Sequence, residues 1–365
     1  MPLEISATLD REAAIYLTGE VVIVKVTLRN RAQRGQESLA WGSVQLTCER
    51  TMGAHVHSRD RPTTSIARSA STVYSSKPNV LFCDVELKHG ETRKFVCEIH
   101  LPMQDLPPSF RGHLVKYINR ITIAVQHVRA PIKLLHIPVR IIPSLFIEEA
   151  SKLDKNPFLA VLPPTVSQAG LWMFQTVMAA VDEITAPKRP HMFSMTNVQG
   201  KVATMTLFKK TFRLGEDILG TLSFEDSDVP CVQYSVHLES LEQLTDDVVG
   251  ERGEIKLEGM SNVVVHSNDY VVCAFASESS FRLSIPMHAT PTFHTDTVHL
   301  KWRLRFEFVT SAPLINIVYG EVCEAPIDVP IETLAWKVDI YVLPCSPQNA
   351  ALTDSSLAGN VSMTL

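Results

Sequence analysis

Long apolar runs are missing from this chain of 365 residues. The longest, Leu171 to Val181, is interrupted by Gln175 and Thr176 and falls short of the roughly 20 apolar residues that span a bilayer. Met1-Pro2-Leu3-Glu4-Ile5 places no basic segment before an apolar one, so no secretory leader is read there. Cysteine is sparse and scattered. The seven residues Cys48, Cys83, Cys97, Cys231, Cys273, Cys323 and Cys345 form no Cys-x-x-Cys and read as free thiols acting as small hydrophobes. A cytosolic chain is expected. A strong excess of one charge is also lacking, because 34 Lys and Arg against 39 Asp and Glu leave −5. Nothing global therefore attracts nucleic acid or an anionic membrane.

Catalytic signatures are absent as well. There is no Gly-x-Ser-x-Gly, no phosphate loop ending in Gly-Lys-Ser/Thr and no His-Glu-x-x-His. Gly200-Lys201-Val202 lacks the upstream glycine and the hydroxyl that a phosphate loop needs. His55 with His57, and Cys97 with His100, are pairs without a second pair, whereas structural zinc takes four ligands. No catalytic residue, metal or cofactor is assigned.

What the chain does have is alternation. Val298, Leu300, Trp302, Leu304, Phe306 and Phe308 alternate with His299, Lys301, Arg303, Arg305 and Glu307, which predicts a strand apolar on one face and solvated on the other. Val232 to Leu238, Val44 to Cys48, Trp336 to Val342 and Leu135 to Ile141 repeat the pattern. Pro138 cannot donate to a ladder, so the last of these belongs at a sheet edge. Single polar faces fit antiparallel sheets packed in pairs, and helical crossovers of a parallel fold are missing. Glu148 to Pro157 is polar, and Ser167 to Ile184 has helical spacing before Ala186-Pro187. The reading is all-β: a sandwich over 1–147, a partly helical segment over 148–191, a second sandwich over 192–346 and a mobile tail over 347–365.

The halves repeat one another. Tyr16-Leu17-Thr18-Gly19-Glu20 corresponds to Phe212-Arg213-Leu214-Gly215-Glu216, each an aromatic, two residues and Gly-Glu before a strand. The glycine suits a tight turn at positive φ. Pro108-Ser109-Phe110 before the run from Val115 corresponds to Pro291-Thr292-Phe293 before Val298. This arrangement resembles the arrestin-like fold of two tandem β-sandwich lobes.

A narrower resemblance runs from about residue 10 to residue 347. Leu81-Phe82-Cys83-Asp84, Pro107 to Gly112 with Val115-Lys116-Tyr117, Gly200-Lys201-Val202 running to Phe208-Lys209, Arg213 to Asp217, and Leu300 to Leu304 with Phe306 to Thr310 occur in order. Together they are similar to the Rgp family of retrograde Golgi transport. The resemblance implies a non-catalytic subunit that pairs with a large Ric-type β-propeller protein. The pair it implies is a guanine-nucleotide exchange factor for a Golgi Rab GTPase, on the cytosolic face of Golgi membranes and bound to membrane only through the complex. The competing reading, an arrestin-type adaptor for membrane cargo, would bring a Pro-Pro-x-Tyr signal to the tail. None is present after Ser346-Pro347-Gln348.

Two groups are candidate partner contacts. In a helix, Leu171, Phe174 and Met178 would form one stripe with Trp172 on another side, a pattern suited either to burial between lobes or to docking on a partner. Lys209, Lys210 and Arg213 could meet an acidic partner or simply line a surface turn. Lys116, Arg120 and Arg129 could form a basic patch, yet a solvated strand face is the commoner explanation. Trp302, Phe306, Phe308 and Trp336 are expected in the core, with Phe110 and Phe293 plugging sandwich ends.

Overall fold

The computed structural model describes residues 3–32, 35–53, 70–144, 166–187, 189–245, 261–311, 330–352 and 358–364, with backbone alone at 166–174, 358 and 364. The chain begins with β1 (Leu3–Ala13), β2 (Ile15–Leu17), β3 (Val21–Asn30), β4 (Glu37–Met52) and β5 (Ala70–Ser75). Then come β6 (Asn79–Leu87), β7 (Thr92–His100), β8 (Phe110–Arg111), β9 (Val115–His127), β10 (Lys133–Ile142) and α1 (Val166–Thr185). The second series is β11 (His191–Asn197), β12 (Gly200–Leu207), β13 (Thr211–Arg213), β14 (Asp217–Ser223) and β15 (Cys231–Leu244). It continues with β16 (Ser261–Val272), β17 (Glu278–Ser284), β18 (Phe293–His294), β19 (Val298–Ser311) and β20 (Ile331–Leu343). The short helix α2 (Pro347–Ala351) and β21 (Ala358–Thr364) end the chain.

Two compact units result, the first built mainly from Met1–Ala180 and Pro344–Leu365, the second from Val181–Val248 and Glu258–Leu343. In the first, a sheet ordered β21-β1-β3-β7 faces a larger one ordered β2-β10-β9-β4-β5, with β6 on β4 and β8 on β9. The second unit repeats the plan, with β11-β12-β14-β17 against β13-β20-β19-β15-β16 and β18 on β19. The only parallel pairings among the described strands are β2 with β10 and β13 with β20, at equivalent places.

The inward positions of each strand supply the cores. Ile5, Val24 and Val26 of one sheet and Leu46, Ile121 and Ile123 of the other are buried in the first unit. In the second, Trp302, Leu304, Phe306 and Phe308 are all buried, and Phe281 meets Phe306 edge-to-face at 5.4 Å. Such a pair adds to the transfer of its area out of water. Trp336 is only half-buried, set edge-on to Phe193 at 5.6 Å. Phe110 and Phe293 are buried on the short strands β8 and β18.

The ladder explains how a proline sits in β10. The Arg140 amide donates to Ala14 on the β2 side, and Pro138, two residues earlier, points its nitrogen the same way. β2 reaches only residues 140–142, so no partner is deprived there and the strand is a local edge at Pro138.

The expected mobile tail is a correction. β21 lies antiparallel on β1, with Ile5 opposite Met363 and Ala7 opposite Val361. Before it, Ser346 caps α2 by accepting from the Asn349 amide at 3.2 Å, and Pro347 opens the helix, where a missing N–H costs nothing. Ala350 is fully buried. The run is too polar to show alternation; an open edge of β1 decides its structure instead.

A second correction concerns the outward face of β15. Ser235, His237 and Glu239 were expected to be solvated, yet all three are buried. Long side chains from β19 lie across them, as described below. His55 and His57, and the polar stretches 148–157 and 246–258, lie outside the described residues. Among the described residues no helix is long and apolar enough to cross a membrane.

Candidate partner-binding surfaces

The repeated Gly-Glu turns are built alike. Gly19 has φ +88° and Gly215 φ +83°, a backbone that side chains disfavour. The Gly19 amide donates to Leu101 at 3.1 Å and the Gly215 amide to Ile285 at 3.0 Å. Each following glutamate turns its carboxylate back on the turn, Glu20 accepting from the Leu17 amide at 2.7 Å and Glu216 from the Arg213 amide at 2.9 Å. A buried carboxylate so placed needs a cation. For Glu20 that cation is Arg11, at 2.6 Å, its guanidinium stacked 4.7 Å over Tyr16.

The second unit solves the same problem differently. Lys209 Nζ lies 2.8 Å from Glu216, and Arg213 Nε donates to it at 3.1 Å. Burial alone would raise the Glu216 carboxyl, but the hydrogen bonds from Lys209 and the Arg213 amide, with both positive charges, hold it below the ordinary glutamate range. The same two cations reach α1: Lys209 donates to the Thr185 carbonyl at 2.9 Å, and Arg213 pairs with Asp182. Two of the three candidate cations are thus engaged inside the unit, clasping the end of the helix. Lys210 is separate, its Nζ 5.0 Å over the Phe193 ring.

On α1, Val177, Ala180 and Val181 are buried while Gln175, Ala179, Asp182 and Glu183 are exposed. Met178 is half-buried between the two faces. The side chains of Leu171, Trp172 and Phe174 lie outside the described residues.

A buried charge cluster covers the outer face of β15. Arg303 Nε lies 2.8 Å and Arg305 Nε 2.5 Å from the Glu239 carboxylate, which is 2% exposed. Arg305 also pairs with Glu307. Burial by itself would raise Glu239, yet the hydrogen bonds from Arg305 and Arg303 hold it below the ordinary range. Burial, then the neighbouring Arg305, lowers His237. This cluster satisfies itself and presents no unsatisfied charge to a substrate.

Among the described residues no three His, Cys, Asp or Glu side chains gather as a metal site. Cys97 shares the inward phase of β7 with Ile99, while His100 points the opposite way, so this pair cannot ligate together. Gly200-Lys201 sits at a β-hairpin, with the Lys201 amide donating to Asp228 at 2.8 Å. Burial pushes the Cys48 thiol up to about 12, with Glu49 adding to it, which keeps it an inert core group.

β16, the last strand of the six-stranded sheet, exposes Val263, Val265, Tyr270 and Val272 on its outward side and carries one charge, Asp269. In the larger sheet of the first unit Arg111 and Lys116 are exposed opposite one another, and Arg120 pairs with Glu49. No sequence signal distinguished these two faces, because period-two alternation separates inside from outside without saying which outside is neutralised.

Comparison with known proteins bears on what such surfaces serve. A human protein named RAB6A-GEF complex partner protein 2 is 31% identical over 382 aligned positions, covering 96% of each chain. Its bovine counterpart is 30% identical over 371 positions, covering 93% of each. A crystal structure of squid arrestin aligns over 94% of both chains with a TM-score of 0.44 and 9% identity. The Rgp1 family profile matches residues 7–157 and 167–311. With that match and relatives similar through nearly their whole length, the chain belongs to the Rgp1 family.

Proposed function

We propose that this chain is a non-catalytic subunit of a heteromeric guanine-nucleotide exchange factor complex. In this reading it acts with a large Ric-type β-propeller subunit on a Golgi Rab GTPase of retrograde transport, at the cytoplasmic face of Golgi membranes. One observation carries the proposal: near-full-length similarity to two proteins named as partners in a RAB6A exchange-factor complex. Exchange requires no covalent step. A factor that binds the nucleotide-free GTPase better than the loaded one shifts the equilibrium by that difference in affinity, so sheet surfaces that hold proteins in register suffice.

The proposed contact residues are Leu171, Trp172, Phe174 and Met178 along α1, and Lys210, which lies over the Phe193 ring. Lys209 and Arg213 contribute by fixing the last turn through Thr185 and Asp182. Affinity capture of the full chain from lysate is expected to recover a large propeller protein in stoichiometric amount. The purified pair should then speed release of labelled guanine nucleotide from a Golgi Rab, and this chain alone should not. Recovery of a ubiquitin ligase or a transmembrane receptor in its place would overturn the proposal. Trp172→Glu with Phe174→Glu should abolish recovery of the propeller protein while leaving the far-ultraviolet dichroism unchanged; retained recovery would remove α1 from the interface.

A further inference from the structure

The structure assigns Cys231 and Cys273 as a modification site, a dithiol that a peroxide closes into a reversible disulfide. Far apart in sequence, the two meet in the second unit, where their sulfurs lie 3.5 Å apart and both side chains are buried. Neighbouring strands hold them there. The Cys273 amide, at the end of β16, donates to the Val232 carbonyl of β15 at 2.8 Å.

A break in the strand pattern brings Cys231 into place. Against β19, Gln233 stands opposite Val309 and Cys231 opposite Thr310, so Val232 is the extra residue of a β-bulge. In a regular strand Cys231, three residues before the inward Tyr234, would fall on the outward side. The bulge turns it inward and buries it instead. Cys273 lies two residues beyond Val271, which pairs with Tyr234, and so keeps the inward phase without help. A disulfide needs its sulfurs about 2.05 Å apart, a closure that rotation about the two Cα–Cβ bonds supplies without moving either strand.

The pair is also set for the chemistry. The hydrogen bond between the thiols holds Cys273 below the ordinary cysteine value and, together with burial, pushes Cys231 above it. Cys273 is thus the nucleophile and Cys231 the resolving thiol. As thiolate, Cys273 attacks one oxygen of hydrogen peroxide; the O–O bond breaks, leaving a sulfenic acid and a hydroxide that the released proton turns to water. Cys231 sulfur then displaces the sulfenic oxygen, its own proton leaving in a second water as the S–S bond forms. One peroxide is reduced by two electrons, one from each sulfur. Entry is short, since Cys273 opens the turn closed by the Ala276 amide on its carbonyl at 3.1 Å, and Phe275 in that turn is 67% exposed. Such a turn opens locally more readily than the strands it joins.

The bond would tie β15 to the crossover that leads from β16 into β17 of the facing sheet, fixing the end of the strand that exposes Tyr270 and Val272. The test treats the reduced full chain with hydrogen peroxide, blocks remaining thiols with N-ethylmaleimide and maps peptides by mass. A peptide pair linked through Cys231 and Cys273 is expected, and dithiothreitol should release it. Both thiols should be lost at least about tenfold faster than that of Cys48, a buried thiol without such a neighbour sulfur. The oxidised chain should melt roughly 5–10 °C higher in its second unit, a shift that Cys231→Ala and Cys273→Ala each remove. Mapping uses the wild type, so it decides the matter even where a variant folds poorly. Loss of the two thiols no faster than Cys48, linkage through other cysteines, or sulfinic acid at Cys273 without a linked peptide would overturn the site. A linked peptide at an unchanged melting temperature would overturn its action as a staple.

Discussion

At the residue scale, the Gly-Glu turn shows how two letters impose a conformation. Gly215 at φ +83° cannot be replaced by a side chain without strain, and a Cβ there would also approach the flexible end of Met287 at 2.6 Å. Gly215→Ala is expected to cost about 1–2 kcal/mol, and Gly215→Asn distinctly less, since asparagine tolerates that region. Denaturant midpoints would show it; equal costs for the two variants would mean the turn relaxes. His266 supplies a second case. It stacks on Trp302 at 4.5 Å and bonds Ser240 at 2.8 Å, and burial, aided by His288, lowers it to about 4. An unfolded histidine takes its proton near pH 6.5, so this group stabilises the fold fully above that value. The contribution disappears as pH falls toward 4, amounting to about 1–2 kcal/mol after screening by solvent. Melting temperatures at pH 7 and pH 5 should therefore differ more for wild type than for His266→Phe. The turn was legible in the sequence because only glycine suits its backbone. The cations were not: Arg11 and Lys209 answer equivalent glutamates from different positions, which no spacing announces.

At the scale of elements, legibility followed burial contrast. β19 was plain because a fully buried face alternates with long polar side chains, whereas β21 was invisible because its residues are small or polar and its partner lies near the opposite end of the chain. Tertiary pairing decides such a segment, and propensity does not. Similarly, the polar phase of β15 reads as solvated until Arg303 and Arg305 are seen lying across it, a consequence of long stems covering their neighbours. Deleting residues 353–365 tests whether β21 matters. It should unpair the outer edge of β1 from Glu4 to Thr8, raising amide exchange across β1 while β9 and β19 keep their protection. An exposed edge also invites self-association, so the truncated chain should elute earlier on sizing as concentration rises. Unchanged exchange in β1 would show that the strand contributes nothing to the sheet.

For the whole molecule, duplication gives two compact units, each with its own buried strand faces. Phe306 is fully buried between Phe281, Phe308 and Trp336 in the second unit, and its removal leaves a void that rigid sheets cannot close. Phe306→Ala is expected to cost about 3–5 kcal/mol there. If each unit holds itself, exchange should quicken across β14, β15 and β19, while β3 and β9 keep the protection of the wild type. The first unit is nevertheless discontinuous, since α2 and β21 return to it only after the whole second unit has been made. Losing β21 to an unfolded second unit would require the chain to pull it from β1, and a flexible tether of that length exerts little tension. The first unit should thus persist, seen as a separate second transition on heating. A single transition, with protection in β3 falling together with that in β19, would mean that the two copies stand or fall as one body.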